Sequence, residues 1–334
     1  MKVVKSPEVV AAQAEGRPIV ALESTIFSTL GLPQPWNERA LESCEEVIRS
    51  RDCVPAVTAV IDGIVRLGLD SGERHRILGD ARKMAERDIA VAVAQSWAFG
   101  ASTVSASVAI ASAGGVQVFA TGGIGGVHRG VEHTGDVSAD LDAIAGFPVI
   151  TVSAGAKAFL DLGRTLEYFE TAGVPVLGWC HDWFPAFYTR SSGCAIPHRV
   201  ETAAEVAAIH DNRSRSDRGL LLTVPIPESD ELDAEGIDGA VARALDECAR
   251  DGVTGPAVTP HVLAAISRAT EGSSLPANVS LARNNADVAK KRGQRLACPP
   301  VTRYIAPRIR LRMPVTGYQP ASRQSRRSGR VVEC

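Results

Sequence analysis

No charge of one sign dominates this chain of 334 residues: 36 Lys and Arg stand against 38 Asp and Glu, a formal net charge of −2. That balance excludes a global field for gripping nucleic acid or an anionic membrane and leaves such a role to a local patch. Cys-x-x-Cys pairs are also lacking, and the seven cysteines (Cys44, Cys53, Cys180, Cys194, Cys248, Cys298 and Cys334) are scattered and odd in number. A disulfide framework and a zinc module are thereby excluded, and a reducing, cytoplasmic setting suits the thiols. His181, His198, His210 and His261 show no metal-ligand spacing. Pro7, Glu8 and Glu15 interrupt the N-terminal stretch, so no secretion signal is expected. The most apolar stretch, residues 101–120, carries several hydroxyls and the Gly114-Gly115 break. It reads as a buried helix followed by a strand, without a membrane span. No internal repeat appears, and no clean linker precedes residue 297. What is present, 45% hydrophobic and 22% charged residues, is the composition of a folded globular chain.

Apolar strands and helical patterns alternate. Ile19 to Leu22 is a short buried-strand pattern that ends on Glu23-Ser24-Thr25, so Glu23 is poorly placed for mere solvation. Asn37 is placed to cap a helix carrying Ala40, Leu41, Cys44, Val47 and Ile48 on one face. Val54 to Val60 and Ile64 to Leu69 flank Asp62-Gly63, a hairpin signal. Beyond it the pattern predicts a helix over about 101–113, a strand at Val116 to Ala120, a strand at Pro148 to Val152, a helix over 156–170 and a strand at Val174 to Trp179. Helical patterns return at Ala203 to His210, Ile237 to Arg250 and Pro260 to Ala269, with an apolar strand at Gly219 to Ile226. This rhythm predicts an α/β fold, a single large domain over 1–297 with helices covering both faces of a sheet. Residues 298–334 change character, with eight arginines against Glu333, so that a +7 tail follows a −9 body. Its Arg, Pro and Ser content predicts a disordered tail, with an anion-binding arm as the alternative.

Three segments offer chemistry. Lys157, in SAGAKAFLDLG, follows a predicted buried strand and Gly155 at the opening of a predicted helix. Burial there would disfavour the ammonium form and suit Schiff-base chemistry, whereas an exposed first-turn lysine would simply snorkel. The run Ala120 to Asp140 holds Gly122, Gly123, Gly125, Gly126 and Gly130, with Thr121, His128 and Arg129 as donors. Such a run permits close backbone approach to a phosphate or phosphosugar, or it is a structural turn. No GK[ST] follows, so it is not a Walker A loop. Asp136 and Asp140, with Ser138 between them, suit Mg²⁺ or Mn²⁺ with water ligands, or else Ser138 or Asp136 simply caps the helix that follows. Lys83 and Thr103-Val104 read locally as surface and helix-start residues.

Taken together, ALESTIFSTLGLPQPWN, VPAVTAVIDG, GASTV, VFATGGIGGVHRG, DVSADL, SAGAKAFLDLGRTLEYFET, GVPVLGW, FPAFYTRSSG, PIPE and NNA resemble the pseudouridine-5′-phosphate glycosidase, or indigoidine synthase A-like, family over residues 3 to 292. The resemblance implies a homotrimeric three-layer α/β/α enzyme with a central mixed sheet. It further implies reversible, Mn²⁺-dependent cleavage of the C–C glycosidic bond of pseudouridine 5′-phosphate to uracil and ribose 5-phosphate. By position, Lys157 matches the nucleophile, Glu23 the general acid and Asp136 the ligand of one divalent ion per subunit. Ser138, Ala139 and Asp140 match the substrate-binding segment; Lys83, Thr103, Val104, Thr121 and His128 match the phosphosugar site; Asn284 or Asn285 matches a site asparagine. A C–C glycoside offers no heteroatom leaving group, so a covalent amine route replaces the usual pair of carboxylates.

The chain departs from the family pattern at two places near this site. Where K-x-S-R-R-[DE] is usual, it reads Lys83-Met84-Ala85-Glu86-Arg87-Asp88, and Val224 stands where an asparagine is expected. Near Ser96 to Phe99 it holds about one extra residue. These changes open two other readings: a Schiff-base lyase or glycosidase for another C-glycosyl phosphosugar, and a catalytically silent phosphosugar-binding protein.

Overall fold

A computed structural model describes residues 1–296 apart from 254, 256 and 257; the 298–334 tail of the sequence reading lies outside the described residues. In chain order the strands are β1 (Val4–Lys5), β2 (Ile19–Leu22), β3 (Val54–Ile61), β4 (Ile64–Leu67), β5 (Arg82–Met84), β6 (Phe99–Ser102), β7 (Val118–Ala120), β8 (Val127–His128), β9 (Ile150–Ser153), β10 (Leu160–Asp161), β11 (Val176–Trp179), β12 (His198–Val200) and β13 (Leu220–Thr223). The helices are α1 (Pro7–Glu15), α2 (Trp36–Arg49), α3 (Ser71–Arg76), α4 (Ile89–Ala94), α5 (Val104–Ala113), α6 (Val131–Thr134), α7 (Ala139–Gly146), α8 (Leu162–Ala172), α9 (Ala203–Asp211), α10 (Ala234–Asp251), α11 (Val258–Ala269) and α12 (Ser274–Leu296).

The main sheet runs β1-β4-β3-β2-β7-β9-β13-β11-β12, with β6 beside β3 and β5 beside β6. Every pairing from β3 to β12 is parallel, whereas β3–β4 and β3–β6 are antiparallel, so the sheet is mixed. Continuous apolar strands such as VPAVTAVI, buried at every position, are what a sheet covered on both faces demands. One layer contains α2 and α12, which pack together, with α12 lying on β2, β7 and β9. The other contains α5 and α7, with α5 on β2, β3, β4 and β7 and α7 on β13. The result is the expected α/β/α arrangement. No helix among the described residues is long and apolar enough to cross a membrane.

The Asp62-Gly63 hairpin forms: both residues have positive φ (49° and 74°), and Ile61 pairs with Ile64, the mirror-image turn that matches strand twist. Three expectations need correction. Asn37 does not cap α2; Pro35 precedes that helix, and the Asn37 amide is buried, donating to Phe27 O (3.2 Å) and Leu78 O (3.0 Å). The helix predicted from 101 starts at Val104, because Ala101 and Ser102 belong to β6. The helix predicted over 156–170 starts at Leu162, capped by Asp161, so Lys157 sits in a loop ahead of β10.

Candidate active site

The parallel strands β2, β7 and β9 end side by side, and each hands a polar segment to the same cleft: Glu23 after β2, Thr121 after β7 and the Lys157 loop after β9. Carboxyl ends of parallel strands are where ligands bind in open α/β sheets. Beneath them lies a dry web of hydroxyls. Ser102 Oγ donates to Thr58 O at 2.7 Å and lies 3.1 Å from Ser24 Oγ and 2.8 Å from Thr58 Oγ1. Ser24 N–H in turn donates to Ser102 Oγ at 3.2 Å, which fixes the backbone beside Glu23.

The glycine run and the Lys157 loop zip onto each other. Ile124 N–H donates to Gly155 O at 3.0 Å, and Lys157 N–H to Ile124 O at 3.2 Å. Gly155 has a φ of +73°, and a Cβ there would lie 2.0 Å from Pro185 O, so only glycine fits. A Cβ at Gly125 would meet Ser138 Oγ at 2.2 Å. Both oxygens of Asp140 are spent on backbone: Oδ2 accepts Gly125 N–H and Oδ1 accepts Ser105 N–H, each at 2.9 Å. Asp140 therefore ties the glycine run to the head of α5. Arg129, expected as an anion donor, instead donates Nη2–H to Ala158 O at 3.2 Å and so braces the Lys157 loop. Ser138 caps α7, accepting from Asp140 N–H at 3.2 Å, so the capping alternative holds for that residue.

These segments enclose a cavity of about 550 Å³, the size of a small-ligand site. Glu23, Lys83, Thr103, Val104, His128, Asp136, Ser138, Ala139, Asp140 and Lys157 all line it. Glu23 is 9% exposed and accepts a short hydrogen bond from the Thr121 hydroxyl. Burial pushes its carboxyl up to about 7, against the pull of that bond and of the nearby Lys157 charge. Lys83 is displaced below the ordinary lysine value by burial and then by repulsion from Lys157. Burial likewise lowers His128, whose Nδ1 lies 3.7 Å from Asp136 Oδ2. A buried acid pushed up to about 7 and an amine thus face one cavity.

Thr121, Asn284 and Asn285 lie off the cavity wall. Thr121 reaches the site through Glu23. Asn285 is buried and donates Nδ2–H to Thr121 O (2.7 Å) and Gly122 O (3.0 Å), holding the start of the glycine run from behind. Asn284 donates to Pro225 O at 3.1 Å. Val224 is buried with its backbone N–H on Ser153 O at 2.9 Å, away from the cavity. The asparagine that does line the cavity is Asn278, which the sequence reading missed: it is 5% exposed, and its Oδ1 is buried without a partner. Phe187, at a φ of +63°, and Arg87 also line the wall. Asn278 lies six residues before Asn284 on α12, about one and two-thirds turns, a helix with no predicted counterpart.

Among the described residues, no three His, Cys, Asp or Glu side chains gather to hold a metal ion. Asp136 presents a single carboxylate, 33% exposed, at the cavity wall. That donor set fits a divalent cation that keeps most of its waters, as Mg²⁺ and Mn²⁺ do, and not a dehydrated protein cage.

The mixed-sheet α/β fold and the strand-end cavity, with a buried acid, an amine and charged groups of both signs on its wall, are those of an α/β enzyme. The family model for indigoidine synthase A like proteins matches residues 8–293, and the chain belongs to that family. It is 46% identical over 298 residues to the pseudouridine-5′-phosphate glycosidase of Chloroflexus aurantiacus, covering 87% of this chain and 97% of the relative. It is also 46% identical over 293 residues to the enzyme of the same name from Caldanaerobacter subterraneus, covering 86% and 94%. Among solved structures, the prealnumycin C-glycosynthase AlnA in complex with ribulose 5-phosphate superposes with a TM-score of 0.81 at 36% identity, covering 88% of this chain and 97% of that one.

Proposed function

We propose that the chain cleaves the C–C glycosidic bond of pseudouridine 5′-phosphate, giving uracil and ribose 5-phosphate, with Glu23 as acid and Lys157 as nucleophile. The observation that carries this reading is the meeting of Glu23 and Lys157 in one cavity of a chain 46% identical to glycosidases of that name. The structural relative is in complex with a sugar phosphate, and this cavity carries Lys83 and Arg87 on its wall as cations to meet a phosphate.

The chemistry follows from charge. Protonated Glu23 gives its proton to the ribose ring oxygen as the C1′–O bond breaks, and the uracil ring takes up the electron deficit at C1′. The Lys157 amine, its proton given up to solvent, then adds to C1′ and sheds a second proton on bonding, which restores the nitrogen lone pair. A proton reaches the uracil carbon, the C–C bond breaks toward it, and the nitrogen lone pair forms a C=N bond to C1′. Water hydrolyses this imine, freeing ribose 5-phosphate and the lysine. Asn278 and Phe187 line the cavity and are the groups proposed to meet the uracil base. Asp136 would hold a divalent ion through its carboxylate. Such an ion, when bound, supplies Lewis-acid charge and ordered waters beside the substrate.

Incubation of the full chain with pseudouridine 5′-phosphate and Mn²⁺, followed by chromatography, is expected to release uracil, and chelation to stop the release. Folded protein that binds the nucleotide but frees no uracil would contradict the reading. We also propose a homotrimer, as the family resemblance implies; light scattering should return three times the 35.2 kDa chain mass, and a monomer would refute it.

A further inference from the structure

Two hydroxyls at the head of α5 stand near Lys83 and Arg87 and take no part in the bond-breaking steps. The Thr103 side chain, just before the helix, makes no capping bond. Its Oγ1 lies 3.0 Å from Ser105 Oγ. Ser105 is fully buried, and its Oγ accepts the Glu86 N–H at 3.2 Å. The Ser105 backbone N–H is taken by Asp140, so that amide is closed to a ligand. Ala85 faces the same part of the cavity with only a methyl group.

Proton counting orients this pair. A hydroxyl has one proton to give. Ser105 Oγ accepts from Glu86, and either hydroxyl of the 3.0 Å pair can donate to the other; with the Ser105 side chain buried, the orientation that leaves a proton for the cavity is Ser105 donating to Thr103 Oγ1. The Thr103 proton is then free for an anion in the cavity, and the relay from amide to hydroxyl to hydroxyl polarises it. Lys83 and Arg87 line the same cavity as cations, with the Asp88 and Asp140 carboxylates beside them and Asp88 3.7 Å from Arg87.

We propose that Ser105 is a positioning residue for the substrate's 5′-phosphate: it turns the Thr103 hydroxyl toward a phosphate oxygen and supplies the hydroxyl that Ala85 lacks. The inference rests on the sugar-phosphate substrate proposed above. It is tested by calorimetric titration of inorganic phosphate, ribose 5-phosphate and uracil into the full chain, Ser105→Ala, and the double variant Ser105→Ala with Ala85→Ser. In Ser105→Ala, affinity for both phosphates should fall about tenfold, the scale of one charge-assisted hydrogen bond. Uracil affinity should not change, and the added Ala85→Ser should recover most of the loss. Unchanged phosphate affinity in Ser105→Ala, or an equal loss for uracil, would overturn the inference. A wild-type chain that shows the phosphate dependence on Ser105 but releases no uracil from pseudouridine 5′-phosphate would support the inference and overturn the proposed reaction.

Discussion

Burial separates the two ionisation states of Glu23 more than any neighbour does. With its carboxyl near 7 in the fold against an ordinary 4.5, folded protein holds this proton more tightly than unfolded chain. Stability present below about pH 4.5 is therefore lost as pH rises toward 7, on the order of 3 kcal/mol for this one group. Glu23→Gln stays neutral, so the melting temperature of the variant relative to wild type should climb across that window; a flat difference would show that Glu23 is not displaced. The same substitution removes the acid, and kcat should fall by about 10²–10⁴-fold. Wild-type kcat should decline above pH 7 as the acid form disappears, and the variant's residual rate should lose that limb. At this scale Glu23 and Lys157 were legible, because an acidic residue at the end of an apolar strand and a lysine after Gly155 are local signals. Asn278 was not, since only tertiary packing decides which asparagine of the C-terminal helix meets the cavity.

At the scale of elements the Asp62-Gly63 turn was legible from local chemistry, whereas the Asn37 cap, equally local in its signal, was overridden when its amide was buried on Phe27 O and Leu78 O. The Asp62-Gly63 hairpin is specified by two residues that tolerate positive φ. The 156–170 pattern, by contrast, is apolar around Lys157, at Ala156, Ala158, Phe159 and Leu160, because that loop is buried against the glycine run, not because it is helical. Helix α12 went unpredicted, yet it closes one layer of the fold. Its buried Lys290 donates Nζ–H to Val47 O and Ser50 Oγ, each at 3.0 Å, and pairs with Asp287 at 2.5 Å. This ammonium satisfies the C-terminal end of α2, where a cation is favoured. Lys290→Ala should cost about 1–3 kcal/mol in denaturant titration, from the lost charged hydrogen bonds, while Val47 O keeps the Ser50 hydroxyl and Asp287 keeps Lys291. A change within 0.5 kcal/mol, the ordinary range of surface substitutions, would show that the pair is idle.

At the scale of the molecule, the parallel order β2-β7-β9 decides where chemistry can occur. Residues 23, 121 and 157 are far apart in sequence, and the sheet brings them together at neighbouring strand ends. The alternation of strands and helices made this architecture readable, whereas strand order, and with it the company each side chain keeps, came only from the fold. The central claim is that Lys157 forms a covalent bond to the sugar. Ribose 5-phosphate mixed with the protein and reduced with borohydride should leave one reduced ribose phosphate on the peptide containing Lys157, seen by mass spectrometry. Lys157→Ala, still folded, should carry none and release no uracil. An adduct on Lys83 instead, or full turnover in Lys157→Ala, would contradict the account.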